Sequence, residues 1–134
     1  MALLARERIR PYYGQVEFRD PGKLDYPDWG DGESDVVATA SCVAVATRSD
    51  HLGQVEVEVW MGLPDAVAVM GQPKWTGLMH VTGGHAVFGN TVGNHLVPVS
   101  LTAGDYHVWV FTLPLGSPAD TVMFSLEPVG TRRG

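Results

Sequence analysis

Between Gln54 and Met61 every second side chain is apolar: Val55, Val57, Val59 and Met61 alternate with Gln54, Glu56, Glu58 and Trp60. A period of two places successive side chains on opposite faces, so this stretch predicts a strand with its valines inward. The same period runs through Leu96–Thr112. Val97, Val99 and Leu101 alternate with Pro98, Ser100 and Thr102; beyond Gly104-Asp105, Tyr106, Val108 and Val110 alternate with His107, Trp109 and Phe111. Two alternating runs around a short glycine-containing loop predict a β-hairpin, and its second arm, apolar on both faces, predicts an interior strand.

Further strands follow from the same signal. Val16 and Phe18 alternate with Gln15, Glu17 and Arg19, which predicts a half-exposed strand within Tyr12–Arg19. Val36–Thr47 alternates throughout, with a face of Ala38, Ala40, Cys42, Ala44 and Ala46 small enough for close packing by an opposed sheet or by Trp109. Short strands are expected at Val67–Met70, Trp75–Thr82 and His85–Phe88, and a last one at Thr121–Glu127 with Val122, Phe124 and Leu126 inward. No stretch carries a helical period of amphipathic length. Seven or eight strands at such spacing, in a chain of 134 residues, predict one all-β domain. The expected closure is an antiparallel β-sandwich over residues 12–130, with a jelly roll or small barrel as the alternative. Residues 1–11 read as an arm or short helical turn stopped by Pro11, and residues 131–134 as a tail.

Charge sharpens this picture. The net charge is −6, and it is unevenly spread. Arg6, Arg8, Arg10, Arg132 and Arg133 lie at the ends, leaving residues 11–130 with four basic and fourteen acidic groups. Such a body repels nucleic acid and suits a basic protein partner. The acids concentrate in residues 20–35, where Asp20, Asp25, Asp28, Asp31, Glu33 and Asp35 face only Lys23 and enclose Tyr26 and Trp29. Clustered carboxylates imitate a phosphate backbone, and aromatic side chains supply interface anchors. Asp25, Tyr26, Asp28, Trp29, Asp31, Glu33 and Asp35 are therefore the candidate partner-binding residues. Arg6, Arg8 and Arg10 are candidates for an arm that docks on a neighbouring subunit.

Other chemistries find little footing. His51, His80, His85, His95 and His107 show no His-x-His or His-Glu-x-x-His spacing. His80 and His85 could still meet across Gly83-Gly84, so a small metal-dependent enzyme stays as a minor alternative. There is no Gly-x-Ser-x-Gly elbow, no phosphate-binding loop and no calcium-loop order among the acids. No catalytic residue, metal ligand or cofactor is implied. Cys42 stands alone between small apolar residues and reads as a buried hydrophobe. No segment has signal-peptide or membrane-spanning character, which predicts a cytoplasmic protein, or a virion component if it assembles.

Four stretches resemble a known family. Tyr13-Gly14-Gln15-Val16-Glu17-Phe18-Arg19-Asp20 and Asp28-Trp29-Gly30-Asp31, followed by Val43–Thr47 and the strand Gln54–Val59, are similar to the competence protein J family of small nuclease inhibitors. The likeness covers roughly the first half of the chain. It implies a non-enzymatic inhibitor or immunity-type protein that pairs with a nuclease. The competing expectation is a structural assembly component, such as a phage capsid-decoration or tail protein made of copies of this chain.

Overall fold

The computed structural model describes residues 2–23, 25–30, 32–63, 71–115 and 118–130. The expected strand at Val67–Met70, the candidate Asp31 and the tail at 131–134 lie outside the described residues. The fold is a β-sandwich of two five-stranded sheets. In chain order the strands are β1 (Ala2–Ile9), β2 (Gln15–Arg19), β3 (Val36–Ala38), β4 (Cys42–Ala46), β5 (Val55–Met61), β6 (Trp75–Val81), β7 (His85–Gly89), β8 (Leu96–Ser100), β9 (Gly104–Leu113) and β10 (Thr121–Pro128). Sheet I has the order β1-β5-β10-β9-β6 and sheet II the order β3-β4-β2-β7-β8. All pairings are antiparallel except β5 with β10, which run parallel. Among the described residues no helix is long and apolar enough to cross a membrane.

The core is built from the inward positions of both sheets. Val55, Val57 and Val59 of β5 join Val122, Phe124 and Leu126 of β10, all fully buried. From sheet II, Val16 and Phe18 of β2, Val43 and Val45 of β4 and Phe88 of β7 meet them. The Phe18 and Phe124 rings lie 5.2 Å apart across the interface. Burying each such side chain contributes about 1.5–3 kcal/mol relative to leaving it exposed. The inward and outward positions expected for β5 and β10 are those observed.

Five local expectations fail, most of them for a reason of connectivity. The run Leu96–Thr112 is not a hairpin: β8 pairs with β7 in sheet II, and β9 pairs with β10 and β6 in sheet I. The loop between them crosses from one sheet to the other. Alternation looks the same in both arrangements, because both strands point their apolar side chains into one core. The turn at Gly83-Gly84 crosses sheets in the same way, from β6 to β7, so His80 and His85 do not face each other.

Conversely, Val36–Thr47 is not one strand but a hairpin. Val36 pairs with Val45 and Ala38 with Val43. Its turn has neither glycine nor proline. The Thr39 amide donates to the Cys42 carbonyl at 2.8 Å, and the Ser41 amide donates to Thr39 Oγ1 at 3.2 Å. Hydroxyl side chains can do this work in turns.

Residues 2–9, expected as an arm or helical turn, form the outer strand of sheet I, paired with β5 from Ala2–Met61 to Ile9–Val55 with a one-residue shift between Leu3 and Ala5. Its charged positions are those of an edge strand, which gains from charge at its exposed side. Finally, Trp109 does not cover the small face of β4. It stacks on His107 on the outer face of sheet I, with ring centroids 4.3 Å apart, beside Phe111 and Met123.

Candidate functional site

The small face of β4 has a different occupant. On β2, Glu17 sits opposite Ala44 and Gly89, and Arg19 sits opposite Cys42 and Val87. Such small neighbours leave room for two long polar side chains to lie along the outer face of sheet II. Arg19 Nε donates to Glu17 Oε1 at 2.8 Å, one Nη donates to Cys42 Sγ at 3.3 Å, and the other reaches the Lys23 carbonyl at 3.4 Å. The Tyr26 ring closes over the guanidinium at 4.5 Å. Glu17 is only 6% and Arg19 only 7% exposed, so β2 is not the half-exposed strand its sequence suggests. Burial pulls the Arg19 pKa down, but the hydrogen bond to Glu17 and the surrounding negative charge outweigh it and hold the guanidinium charged. Burial, reinforced by the Glu17 carboxylate, pushes the Cys42 thiol up to about 12. Cys42 is thus the inert buried group its neighbours predict.

The acidic segment lies over this face and begins with a staple. Asp20, 1% exposed, accepts from the Gly22 amide at 3.0 Å and from the amide and hydroxyl of Thr82 at 2.9 and 2.8 Å. Burial raises its pKa, yet these donors more than compensate, and the carboxyl titrates below its ordinary range. Asp25 accepts from the Ser41 hydroxyl at 2.9 Å. Among the candidate residues, Asp25 and Tyr26 therefore hold the segment to the sheet, although both are exposed.

The other candidates lie nearer the far end of β2. The Trp29 indole N–H donates to Gln15 Oε1 at 3.0 Å, which fixes the ring against the start of that strand. Asp28 caps the Gly30 amide at 2.8 Å and is exposed, as is Glu33. Asp35 is exposed and pairs with Lys74 at 3.3 Å. Here two of the sequence stretches that carry the family resemblance meet. Tyr13 and Gln15 from one and Trp29 from the other line a cleft of about 230 Å³, with Gly32, Ser34 and Ala46. Tyr13 is not among the candidates read from the sequence, because a single tyrosine next to a strand carries no periodic signal. Its backbone shows what it is: φ 61° and ψ 19°, left-handed, with the ring 81% exposed. Gly14 follows at φ 67°, and the turn is held by its amide to the Pro11 carbonyl and by the Thr47 amide to its own carbonyl.

Two of the three arginines proposed for an arm pair within the chain. Arg6 lies 3.0 Å from Glu58 and 3.6 Å from Glu56, and Arg10 lies 3.5 Å from Asp50. Arg8 borders a small cleft with Arg48, Glu56 and Asp120. The histidines are dispersed: His80 contacts Asp105 at 2.6 Å, His107 contacts Thr76 at 2.7 Å and His95 lies 3.5 Å from Glu7. Among the described residues no three His, Cys, Asp or Glu side chains converge as a metal site.

Comparison with known proteins gives the fold a context. No family model matches the sequence, and no curated protein matches it. Two solved structures do match in shape. ComJ from Bacillus subtilis, an inhibitor of the DNA degrading activity of NucA, superposes with a TM-score of 0.73 at 17% identity, covering 96% of this chain and 99% of its own. The protein described as crocagin biosynthetic gene J superposes with a TM-score of 0.61 at 13% identity, covering 97% of this chain and 100% of its own. At such identities the likeness establishes a shared fold. The resemblance read from the first half of the sequence extends, at the level of fold, over nearly the whole chain.

Proposed function

We propose that this protein is a non-enzymatic, inhibitor-type binding protein whose partner is a nuclease or another basic protein. The observation that carries the reading is the near-complete structural match to ComJ, itself an inhibitor of a DNA-degrading activity. Charge agrees with it. A net charge of −6 disfavours direct binding to DNA and favours a partner whose own cleft is basic. The contact surface is the acidic segment: Asp28, Trp29 and Glu33 face solvent at least in part, while Asp20, Asp25 and Tyr26 hold the segment in place. Asp35, though tied to Lys74, is exposed enough to exchange that partner for one on the nuclease.

The test is direct. Purified DNA-degrading nucleases of the source organism are assayed on plasmid DNA with increasing amounts of the protein. Stoichiometric inhibition of one of them, weakening as salt is raised, is the expected result. Light scattering after size exclusion should show the protein gaining mass only when that nuclease is added. No inhibition and no complex at excess protein overturns the reading, and a ring formed by the protein alone would favour the assembly alternative.

A further inference from the structure

Tyr13 poses a physical question that the fold does not answer. A bulky side chain in the left-handed region is disfavoured, and Asn or Gly occupies it at lower cost. Tyr13 holds that conformation with its ring 81% exposed, so the core gains little from it. Strain maintained at an exposed aromatic points to contact with something outside the chain.

The ring stands between two depressions. On one side is an open basin of about 920 Å³ bordered by Tyr12, Asp50, His51 and Val92. On the other is the narrower cleft shared with Trp29. The walls of that cleft are preorganised. The Trp29 indole is pinned by Gln15, and the Gly32 amide closes the turn behind it by donating to the Trp29 carbonyl at 2.9 Å. Among the described residues the cleft is lined by two aromatic residues and two polar groups with lone pairs to offer, Gln15 Oε1 and the Ser34 hydroxyl, but by no basic side chain. Asp28 and Glu33 stand next to its walls in sequence, within a body of net negative charge. Aromatic faces attract a cation, and a planar guanidinium both stacks on them and donates to flanking acceptors.

We propose that the cleft between Tyr13 and Trp29 receives an arginine side chain presented by a loop of the protein partner. The proposal rests on the inhibitor reading and deepens it by naming what the partner must present.

The experiment is an NMR titration of the full chain with N-acetyl-arginine methylamide, followed at the Trp29 indole N–H and the Gln15 and Gly32 amides. The neutral citrulline analogue is the control. Saturable shifts confined to these signals are expected, with about tenfold weaker binding for citrulline. Tyr13→Asn, which removes the ring but suits the backbone, should abolish the response while leaving a folded spectrum. No localised shifts up to the solubility limit, equal titrations with both compounds, or an undiminished response in Tyr13→Asn would overturn the proposal. The two readings separate in the nuclease assay. If the wild type inhibits and Tyr13→Asn inhibits equally, the arginine cleft fails and the inhibitor reading stands. If arginine binds the cleft but no nuclease is inhibited, the cleft stands and that reading fails.

Discussion

Both halves of the acidic segment set carboxylates beside an aromatic ring, and the fold treats them differently. In the first, Asp20 is buried with three donors on its carboxylate, Asp25 accepts from Ser41, and Tyr26 caps the buried Glu17–Arg19 pair. In the second, Asp28 and Glu33 are exposed and Trp29 lines a cleft together with Tyr13. A carboxylate surrounded by donors contributes to the fold. One exposed at the surface contributes less to stability and shapes the field around the segment. Counting acids in a loop therefore overstates the size of a binding site, because some of those acids attach the loop to the protein.

Breaking the first half should cost far more than altering the second. Arg19→Ala leaves the Glu17 carboxylate buried without its partner and is expected to destabilise by about 3–5 kcal/mol, read from urea denaturation. Replacing both at once, Glu17→Leu with Arg19→Met, should cost much less, since the penalty lies in the orphaned charge. If Arg19→Ala unfolds at the wild-type midpoint, the pair is solvated and the comparison collapses.

Asp20→Ala is next, at about 2–3 kcal/mol, because the Gly22 amide and both Thr82 donors lose their acceptor. It also carries a pH signature. The folded carboxyl titrates below its ordinary value of 3.8, so its contribution is complete above that value and is lost as pH falls through the lower folded one. Wild-type stability should therefore drop on acidification more steeply than that of Asp20→Asn. Parallel acid profiles would show that Asp20 gains nothing on folding.

Tyr13→Asn inverts the sign. Relieving a left-handed tyrosine should raise stability by about 1 kcal/mol, seen as a higher Tm. A fall instead would mean that the ring supports the fold. Smallest of all, Asp28→Asn and Glu33→Gln should stay within about 0.5 kcal/mol of wild type. Their effect belongs in the salt dependence and on-rate of partner binding, and a large loss of stability in either would move it into the structural half.

Much of the architecture was legible along the chain. The valines of β5 and the alternation of β10 assigned inward and outward faces correctly, because a period of two is a local consequence of backbone geometry. Local periodicity also yields the sandwich class, since half-apolar sheets must cover each other. Pairing was not legible. An inward valine looks the same whether its neighbour lies in its own sheet or the opposite one, so β8–β9 was expected as a hairpin and is a crossing between sheets. The hairpin within Val36–Thr47 was hidden because hydroxyls, not glycine, make its turn. Polar Glu17 and Arg19 were expected to alternate with solvent. Only the tertiary structure brings small residues on both flanking strands and the Tyr26 ring over them, making a buried pair possible. The same holds for the candidate site. Trp29 and its acids stand out in sequence, but Tyr13 comes to line the same cleft only through the fold. Sequence determined which side chains turn inward; long-range packing decided which acids are structural and which aromatic residues line one cleft.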